Sequence, residues 1–300
     1  MSVKKVLITG SNGLLGQHLA KHFLQSDFEI LATSFGSNRI SALDHKYHSL
    51  DVTDFTQVKT VLADFQPDII FNAAAATNVD GCEDEPDNCD KINHQAVAHF
   101  LRSFDELKMT PHFIHISTDF IFNGTKKEYF EEDEPDPISE YGRSKWLGEL
   151  VIKNSGYENY TIVRTSLVYG VGEALNKGNI FLWAMDKLRN GETLTIVDDQ
   201  FRSPTYVDDL CLACVKISDL GVTGVINIAG QQILSMHKYI QEVSDYVGKS
   251  RNLVKPISTS VLNQKAKRPK RSGLNINKAK NIIGFEPTKF EQSLQEMDGL

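Results

Sequence analysis

From Val3 to Leu24 the chain runs through an aliphatic stretch, a glycine turn and a helical pattern, and few folds accept that order. Val3–Thr9 reads VKKVLIT, rich in aliphatic and β-branched residues. Gly10-Ser11-Asn12-Gly13-Leu14-Leu15-Gly16 follows, and apolar residues then recur at helical spacing through Leu24. Strand, glycine turn and helix in sequence build a dinucleotide site. One glycine permits the tight turn, the next lets backbone approach a pyrophosphate, and the last lets helix pack on strand. The helix N-terminus offers free N–H groups and the positive end of its dipole to phosphate. The spacing is G-x-x-G-x-x-G rather than G-x-G-x-x-G. Gly10, Asn12, Gly13, Leu14, Leu15 and Gly16 are therefore the expected pyrophosphate-binding set.

The rest of the first half repeats strand and helix. Phe28–Ser34 reads as a second strand, His45–Leu50 as a short third, Pro67–Asn72 as a fourth and His112–Ile116 as a fifth. Between them lie a helix ending near Phe65, capped by Thr53 or Asp54, and one from about Asp90 to Leu107 that carries Asn93 in its first turns. A helix opens at Tyr141, and Tyr160–Arg164 is a sixth strand. Such alternation predicts right-handed βαβ units, hence an α/β, Rossmann-type doubly wound parallel sheet. The second strand ends in Thr33-Ser34 with Arg39 shortly after, and no carboxylate stands there to repel a 2′-phosphate. Ser34 and Arg39 thus point to NADP (NADPH), with NAD as the alternative; Arg39 also reads as a solvated loop cation. Asp51 sits where a loop can meet an adenine amino group. Ala73-Ala74-Ala75, after the fourth strand, are small enough for close cofactor approach.

A net charge of −7 disfavours a general nucleic-acid binder, no apolar run reaches the ~18 residues of a membrane span, and no signal peptide is evident. The expectation is a soluble cytoplasmic protein, monomeric or homodimeric, without nucleic-acid or membrane partners. Cys211 and Cys214 form C-x-x-C within DDLCLACVKI, an amphipathic helix, and read as core residues; no metal site is expected. The acidic EYFEEDEPDP of Glu128–Pro137 reads as a solvated loop.

Tyr141 and Lys145, four residues apart on one helix, project from the same face. Thr118 lies at the carboxyl end of the fifth strand, where sheets of this kind hold ligands. A tyrosine can protonate a carbonyl oxygen, a neighbouring ammonium is expected to lower its pKa, and a threonine hydroxyl can hold the same oxygen. Thr118, Tyr141 and Lys145 are the candidate catalytic residues.

At this point the chain resembles the extended short-chain dehydrogenase/reductases, and within them the dTDP-4-dehydrorhamnose reductase family. The matching segments are ITGSNGLLG, LDVTD, PDIIFNAAAATNVDGCEDEPD, INHQAV, ISTDFIFNG, YGRSKWLGE, RTSLVYG, SPTYVDDL and RPKRSGLNINKAK. The resemblance implies hydride transfer from NADPH or NADH to a 4-keto nucleotide sugar. It maps the catalytic roles onto Thr118, Tyr141 and Lys145, with Lys145 also on the nicotinamide ribose. Adenine and cofactor contacts map onto Asp51, Val52, Ala73, Ala74 and Ala75. The substrate is expected at Thr118, Asp119, Leu167, Arg202 and Arg268. Leu167 stands where rhamnose-precursor enzymes often carry tryptophan, and Arg202 departs from a D-Q-x-G-x-P-T pattern; Arg202 reads as a diphosphate contact or a surface residue. The expected division is a cofactor-binding unit of residues 1–170 plus 224–230 and a substrate-binding unit of 171–223 and 231–300. Asp119-Phe120 lacks the glutamate a 4,6-dehydratase would need. The alternatives are another nucleotide-sugar epimerase or reductase, and a regulatory nucleotide-binding subunit like the beta subunit of methionine adenosyltransferase.

Overall fold

In the computed structural model, which describes residues 3–43, 45–175 and 178–299, strand and helix alternate from the N-terminus. The first part contains β1 (Lys5–Thr9), α1 (Leu14–Leu24), β2 (Glu29–Ser34), β3 (Tyr47–Ser49), α2 (Phe55–Phe65), β4 (Ile69–Asn72), α3 (Val79–Asp84), α4 (Pro86–Asp90), α5 (Ala96–Leu107), β5 (His112–Thr118), α6 (Glu140–Asn154) and β6 (Tyr160–Thr165). Then come β7 (Val168–Tyr169), α7 (Ile180–Arg189), β8 (Leu194–Val197), β9 (Phe201–Arg202), β10 (Thr205–Tyr206), α8 (Val207–Leu220) and β11 (Gly224–Asn227). The chain ends with β12 (Leu234–Ser235), α9 (Met236–Tyr246), β13 (Val254–Ile257), α10 (Asn277–Ile283) and α11 (Phe290–Asp298).

Seven strands form one parallel sheet in the order β11-β6-β5-β4-β1-β2-β3. Successive side chains of a strand face opposite sides, so each strand feeds two cores. Val6 and Ile8 join a cluster with Leu19 and Phe23 of α1 and Leu210 and Cys214 of α8. Leu7 joins Ile70, Phe113 and Ile162 in the other, against Val58 of α2 and Phe100 of α5. The doubly wound α/β architecture expected from the alternation is present. β11, 59 positions beyond the end of β6 in sequence (Thr165 to Gly224), pairs with β6 from Gly224↔Thr161 to Asn227↔Arg164.

Local chemistry explains the helix starts. The Asp54 side chain accepts from Thr56 N (2.8 Å) and Gln57 N (3.1 Å) and caps α2. Ser139 caps α6 through Gly142 N at 3.2 Å.

Several expectations are corrected. The helix expected from Asp90 begins at Pro86 and passes through a π-turn over Lys91–Gln95 before α5. The extra residue turns Asn93 inward, where it is 1% exposed. The acidic loop is not all solvated: Glu131 is buried and accepts from Asn227 N at 2.9 Å, tying the loop to β11. Burial raises the Glu131 carboxyl above its ordinary range, while the Asn227 amide opposes the rise. β13, in the segment before the basic stretch, was not expected to be a strand. It contains Pro256 and, among the described residues, pairs in parallel only with β8, an edge position that tolerates a missing N–H. Cys82 and Cys89 are joined as a disulfide between α3 and α4, whereas Cys211 and Cys214 are free and buried on α8. Burial pushes the Cys211 thiol up to about 12, the state of a core residue. Among the described residues no helix is long and apolar enough to cross a membrane, and no group of three or more His, Cys, Asp or Glu side chains could hold a metal ion.

Candidate active site

The glycine turn closes on β4. Gly10 has φ 67°, in the left-handed region, and a Cβ there would meet Ala74 N at 2.6 Å. Gly13 N–H donates to Gly10 O at 2.9 Å, and Ser11 N–H to Thr33 O at 3.0 Å. Gly13 is the N-cap of α1, with no side-chain capping bond and no acidic residue in the first turn. That leaves the first-turn amides without a capping side chain, and Ser11 Oγ in the same turn is buried with no hydrogen-bond partner among the described residues. Donor groups at an open helix N-terminus fit a pyrophosphate. Leu15 is buried and Leu14 half-buried behind the turn. A Cβ on Gly16 would lie 2.3 Å from Gly10 O, a backbone atom. Gly16→Ala is therefore expected to force helix and turn apart, costing ~1–3 kcal/mol of stability as in overpacked cores. Urea denaturation measures this, and an unchanged midpoint would show that the contact yields freely.

Asn12 organises the loop after β2. Its Nδ2 donates to Ser37 O at 2.9 Å, and Arg39 N–H donates to its Oδ1 at 3.0 Å. This brings exposed Arg39 back to the glycine turn, beyond Ser34 at the end of β2. Ala73, Ala74 and Ala75 are half-buried, with Ala73 and Ala74 against Gly10. Val52 is buried, and Asp51 Oδ1 accepts both the amide (2.9 Å) and hydroxyl (2.7 Å) of Thr53, which fixes the loop.

At the end of β5, Thr118 Oγ1 accepts from Phe120 N at 3.2 Å and donates to Asp119 Oδ1 at 3.3 Å. α6 comes very close to this turn because residue 142 is glycine: a Cβ there would lie 2.2 Å from Phe120 O. Tyr141 consequently stands edge-on to Phe120, with ring centroids 5.7 Å apart, near the Thr118 hydroxyl. The expected lowering of the Tyr141 pKa is overturned. Burial pushes the phenol up to about 12, the nearby Thr118 hydroxyl opposes the rise, and the Asp119 charge adds to it. The ammonium of Lys145 is turned away: Nζ donates to Ile116 O at 2.7 Å and lies 3.4 Å from His115 Nε2. Lys145 is itself 2% exposed, and burial draws it down to about 8 although Glu149 opposes this. A phenol at about 12 is fully protonated near neutrality, the form a proton donor needs.

The expected substrate residues divide. The Asp119 carboxylate is 1% exposed and already occupied. Its Oδ2 accepts from Ser166 (3.0 Å) and from Ser272, and its Oδ1 from Thr118. Burial raises its pKa, against nearby Arg202 and the hydroxyl donors. Arg202 is no surface residue: it is 4% exposed, donates to Phe201 O at 2.8 Å and lies 5.5 Å over the Phe120 ring. Its position supplies counter-charge to Asp119. Leu167 is exposed and has φ 37°, a left-handed conformation uncommon for a branched side chain. Arg268 forms a bidentate pair with Asp80 of α3, at 2.7 and 3.1 Å.

Three positioning groups escaped the sequence reading. Asn93 clamps the Ala76 backbone in both directions (2.8 and 3.1 Å) and donates to Ser144 Oγ at 3.0 Å, next to Lys145. Glu149 and Arg164 form a buried bidentate pair at 2.8 and 3.0 Å, with Ser117 donating to Glu149 at 2.6 Å. His115 lies against Lys145. The signal available was a polar residue within an otherwise buried strand or helix face, as His115 is in HFIHIST.

An open helix N-terminus facing small residues, with a threonine and a Tyr-x-x-x-Lys helix at the adjacent strand end, defines the class of Rossmann-type extended short-chain dehydrogenase/reductases. Residues 4–298 match the family model described as RmlD substrate binding domain. The chain belongs to that family, which is the dTDP-4-dehydrorhamnose reductase family. It is 31% identical to the spore coat polysaccharide biosynthesis protein SpsK of Bacillus subtilis, covering 97% of this chain and 96% of that one. It is 29% identical to the probable low-salt glycan biosynthesis reductase Agl14 of Haloferax volcanii, over 97% and 96% of the two chains. It is 27% identical to mouse methionine adenosyltransferase 2 subunit beta, covering 98% of this chain and 86% of that one. Among solved structures, dTDP-4-dehydrorhamnose reductase (rfbD) from Bacillus anthracis in complex with NADP superposes with TM-score 0.84 at 29% identity, over 99% of each chain.

Proposed function

We propose that this chain is an NADPH-dependent reductase of a 4-keto-6-deoxy sugar carried on a nucleoside diphosphate. The observation that carries the reading is Tyr141 brought beside Thr118 at the sheet end, next to the open glycine turn. When bound, NADPH supplies the hydride. Gly10 to Gly16 hold its pyrophosphate on the N-terminus of α1, Ala73–Ala75 and Val52 wall the cofactor, and Asp51 borders the adenine. Negative charge grows on the substrate carbonyl oxygen as it is reduced. Thr118 hydrogen-bonds that oxygen, and Tyr141, protonated near neutrality, donates its proton to it. Lys145 then leaves Ile116 O to bond the ribose and the phenolate. Asp119 and Arg202 hold the Thr118–Phe120 turn from behind, so Asp119 acts through Thr118. Leu167 and Arg268 face the sugar nucleotide. Residues 1–170 with 224–230 form the cofactor unit, and 171–223 with 231–300 the substrate unit.

The test is NADPH oxidation with a panel of 4-keto-6-deoxy nucleotide sugars. Turnover of one or more supports the reading. A second reading, a regulatory nucleotide-binding subunit, rests on the likeness to the mouse protein; tight NADPH binding without turnover of any sugar would favour it. Cofactor choice has its own test. Arg39→Ala is expected to weaken NADPH binding about tenfold, the loss of one charge-assisted bond, and to leave NADH binding unchanged. Equal dissociation constants for NADPH in both proteins would remove Arg39 from the 2′-phosphate.

A further inference from the structure

The register of the sheet sets three polar side chains in a row. Thr9 of β1 pairs with Asn72 of β4, and Asn72 with His115 of β5. Their side chains bond in that order: Thr9 Oγ1 donates to Asn72 Oδ1 at 2.7 Å, and Asn72 Nδ2 meets His115 Nδ1 at 3.0 Å. At one end Ala74 N–H donates to Thr9 Oγ1 at 3.2 Å; at the other, His115 Nε2 lies 3.4 Å from Lys145 Nζ. None of the four side chains is more than 4% exposed.

The row has a direction. A backbone amide can only donate. Thr9 therefore accepts from Ala74 and passes its own proton to Asn72 Oδ1. Asn72 then has only its NH2 to offer His115 Nδ1. Burial, with Lys145 adding to it, holds the His115 imidazole well below its ordinary pKa, so the ring is neutral. A neutral ring that accepts at Nδ1 carries its proton on Nε2, the nitrogen that faces Lys145. The titratable groups around Lys145 are His115 on β5 and Tyr141 and Glu149 on its own helix, with Asp119 beyond Tyr141.

We propose that His115 is a positioning residue for Lys145: its Nε2–H is fixed toward Nζ and stabilises the neutral amine left when Lys145 returns a proton to the Tyr141 phenolate. In that step an Nζ–H bond breaks, a Tyr141 Oη–H bond forms, and the lone pair left on Nζ accepts the His115 Nε2–H. The catalytic consequence rests on the reductase reading; the tautomer and the ionisation belong to the protein without ligand.

The test uses the ligand-free full chain, labelled with 15N-histidine and 13C-lysine. Long-range 15N–1H spectra read each ring's tautomer, with His115 assigned by its loss in His115→Phe. The Nε2–H tautomer is expected, and the Nδ1–H tautomer would overturn the proposal. The Lys145 Cε resonance, assigned through Lys145→Arg, is then titrated with pH. His115→Phe is expected to raise its midpoint by ~1 pH unit, a factor of ten in the equilibrium. His115→Gln, whose amide N–H reaches the Nε2 position, should keep the wild-type midpoint. His115→Asn, which reaches only the Nδ1 position, should behave as the Phe variant and serves in its place if that one misfolds. A midpoint unmoved or lowered by the Phe and Asn variants would overturn the proposal. Sugar turnover is measured separately: its absence would sink the reductase reading and leave both spectroscopic results standing.

Discussion

Tyr141→Phe is expected to bind NADPH as the wild type does and to lose turnover by ~10²–10⁴-fold, the usual worth of a positioned general acid. Phenylalanine keeps the ring, so the edge-on contact with Phe120 and the close approach of α6 at Gly142 survive. Only the donor is removed. The substrate oxygen would still meet Thr118, so a residual rate is expected rather than none. The pH profile separates this from a folding defect. Wild-type turnover should be flat around neutrality, where a phenol near 12 stays protonated, and should fall as Lys145 deprotonates around its value of about 8. NADPH oxidation with an accepted 4-keto sugar, alongside cofactor binding by fluorescence, is the measurement. Full activity in Tyr141→Phe would remove the mechanism.

The second large effect concerns stability. Glu149→Leu is expected to destabilise the fold by ~3–5 kcal/mol, because it leaves the Arg164 guanidinium buried without its counter-charge. Arg164 also donates to Glu131 O at 3.0 Å, and Ser117 donates to Glu149, so one ion pair ties α6, β5, β6 and the acidic loop. The double variant Glu149→Leu/Arg164→Met removes both charges and should recover part of the loss. Urea denaturation of the three proteins decides it; equal stability of Glu149→Leu and wild type would refute the assignment. The pair also sets an acid limit. Burial raises the Glu149 pKa, but Arg164, Lys153 and Ser117 bring it below the ordinary value. A depressed folded-state pKa contributes stability that is complete above the unfolded value, ~4.3 for a glutamate. That stability is lost as pH falls toward the folded value. The Glu149→Leu variant should lack this component of acid unfolding.

What could be read in the chain was what local sterics and periodicity dictate. Gly10 and Gly16 sit where a Cβ would strike backbone, so their spacing reports the turn directly. Tyr141 and Lys145 share a helix face by simple geometry, and Asp54 caps α2 by the chemistry of its own side chain. What stayed hidden depends on partners far along the chain. Nothing near Arg202 announces that it will be buried near Asp119, 83 positions earlier, or near Arg268 that it will grip Asp80, 188 positions away. Glu131 looked like any residue of an acidic loop until β11 returned to meet it. The ionisation of Tyr141 was misjudged for the same reason. Proximity to Lys145 in sequence suggested a lowered pKa, whereas β5 captures the ammonium through Ile116 O.

The late arrival of β11 bears on how the chain is made. During synthesis β6 is complete by Thr165, yet the strand that covers its outer edge begins at Gly224. Through that interval β6 presents an unpaired row of backbone donors and acceptors, the kind of edge that recruits other chains. Intermediates with open edges are prone to self-association. A fragment ending at residue 170 would keep that edge permanently. The β6 edge is covered only after Asn227 has been made, when β11 takes over as the short terminal strand of the sheet, so the sheet cannot be finished before residues 171–223 have left the ribosome.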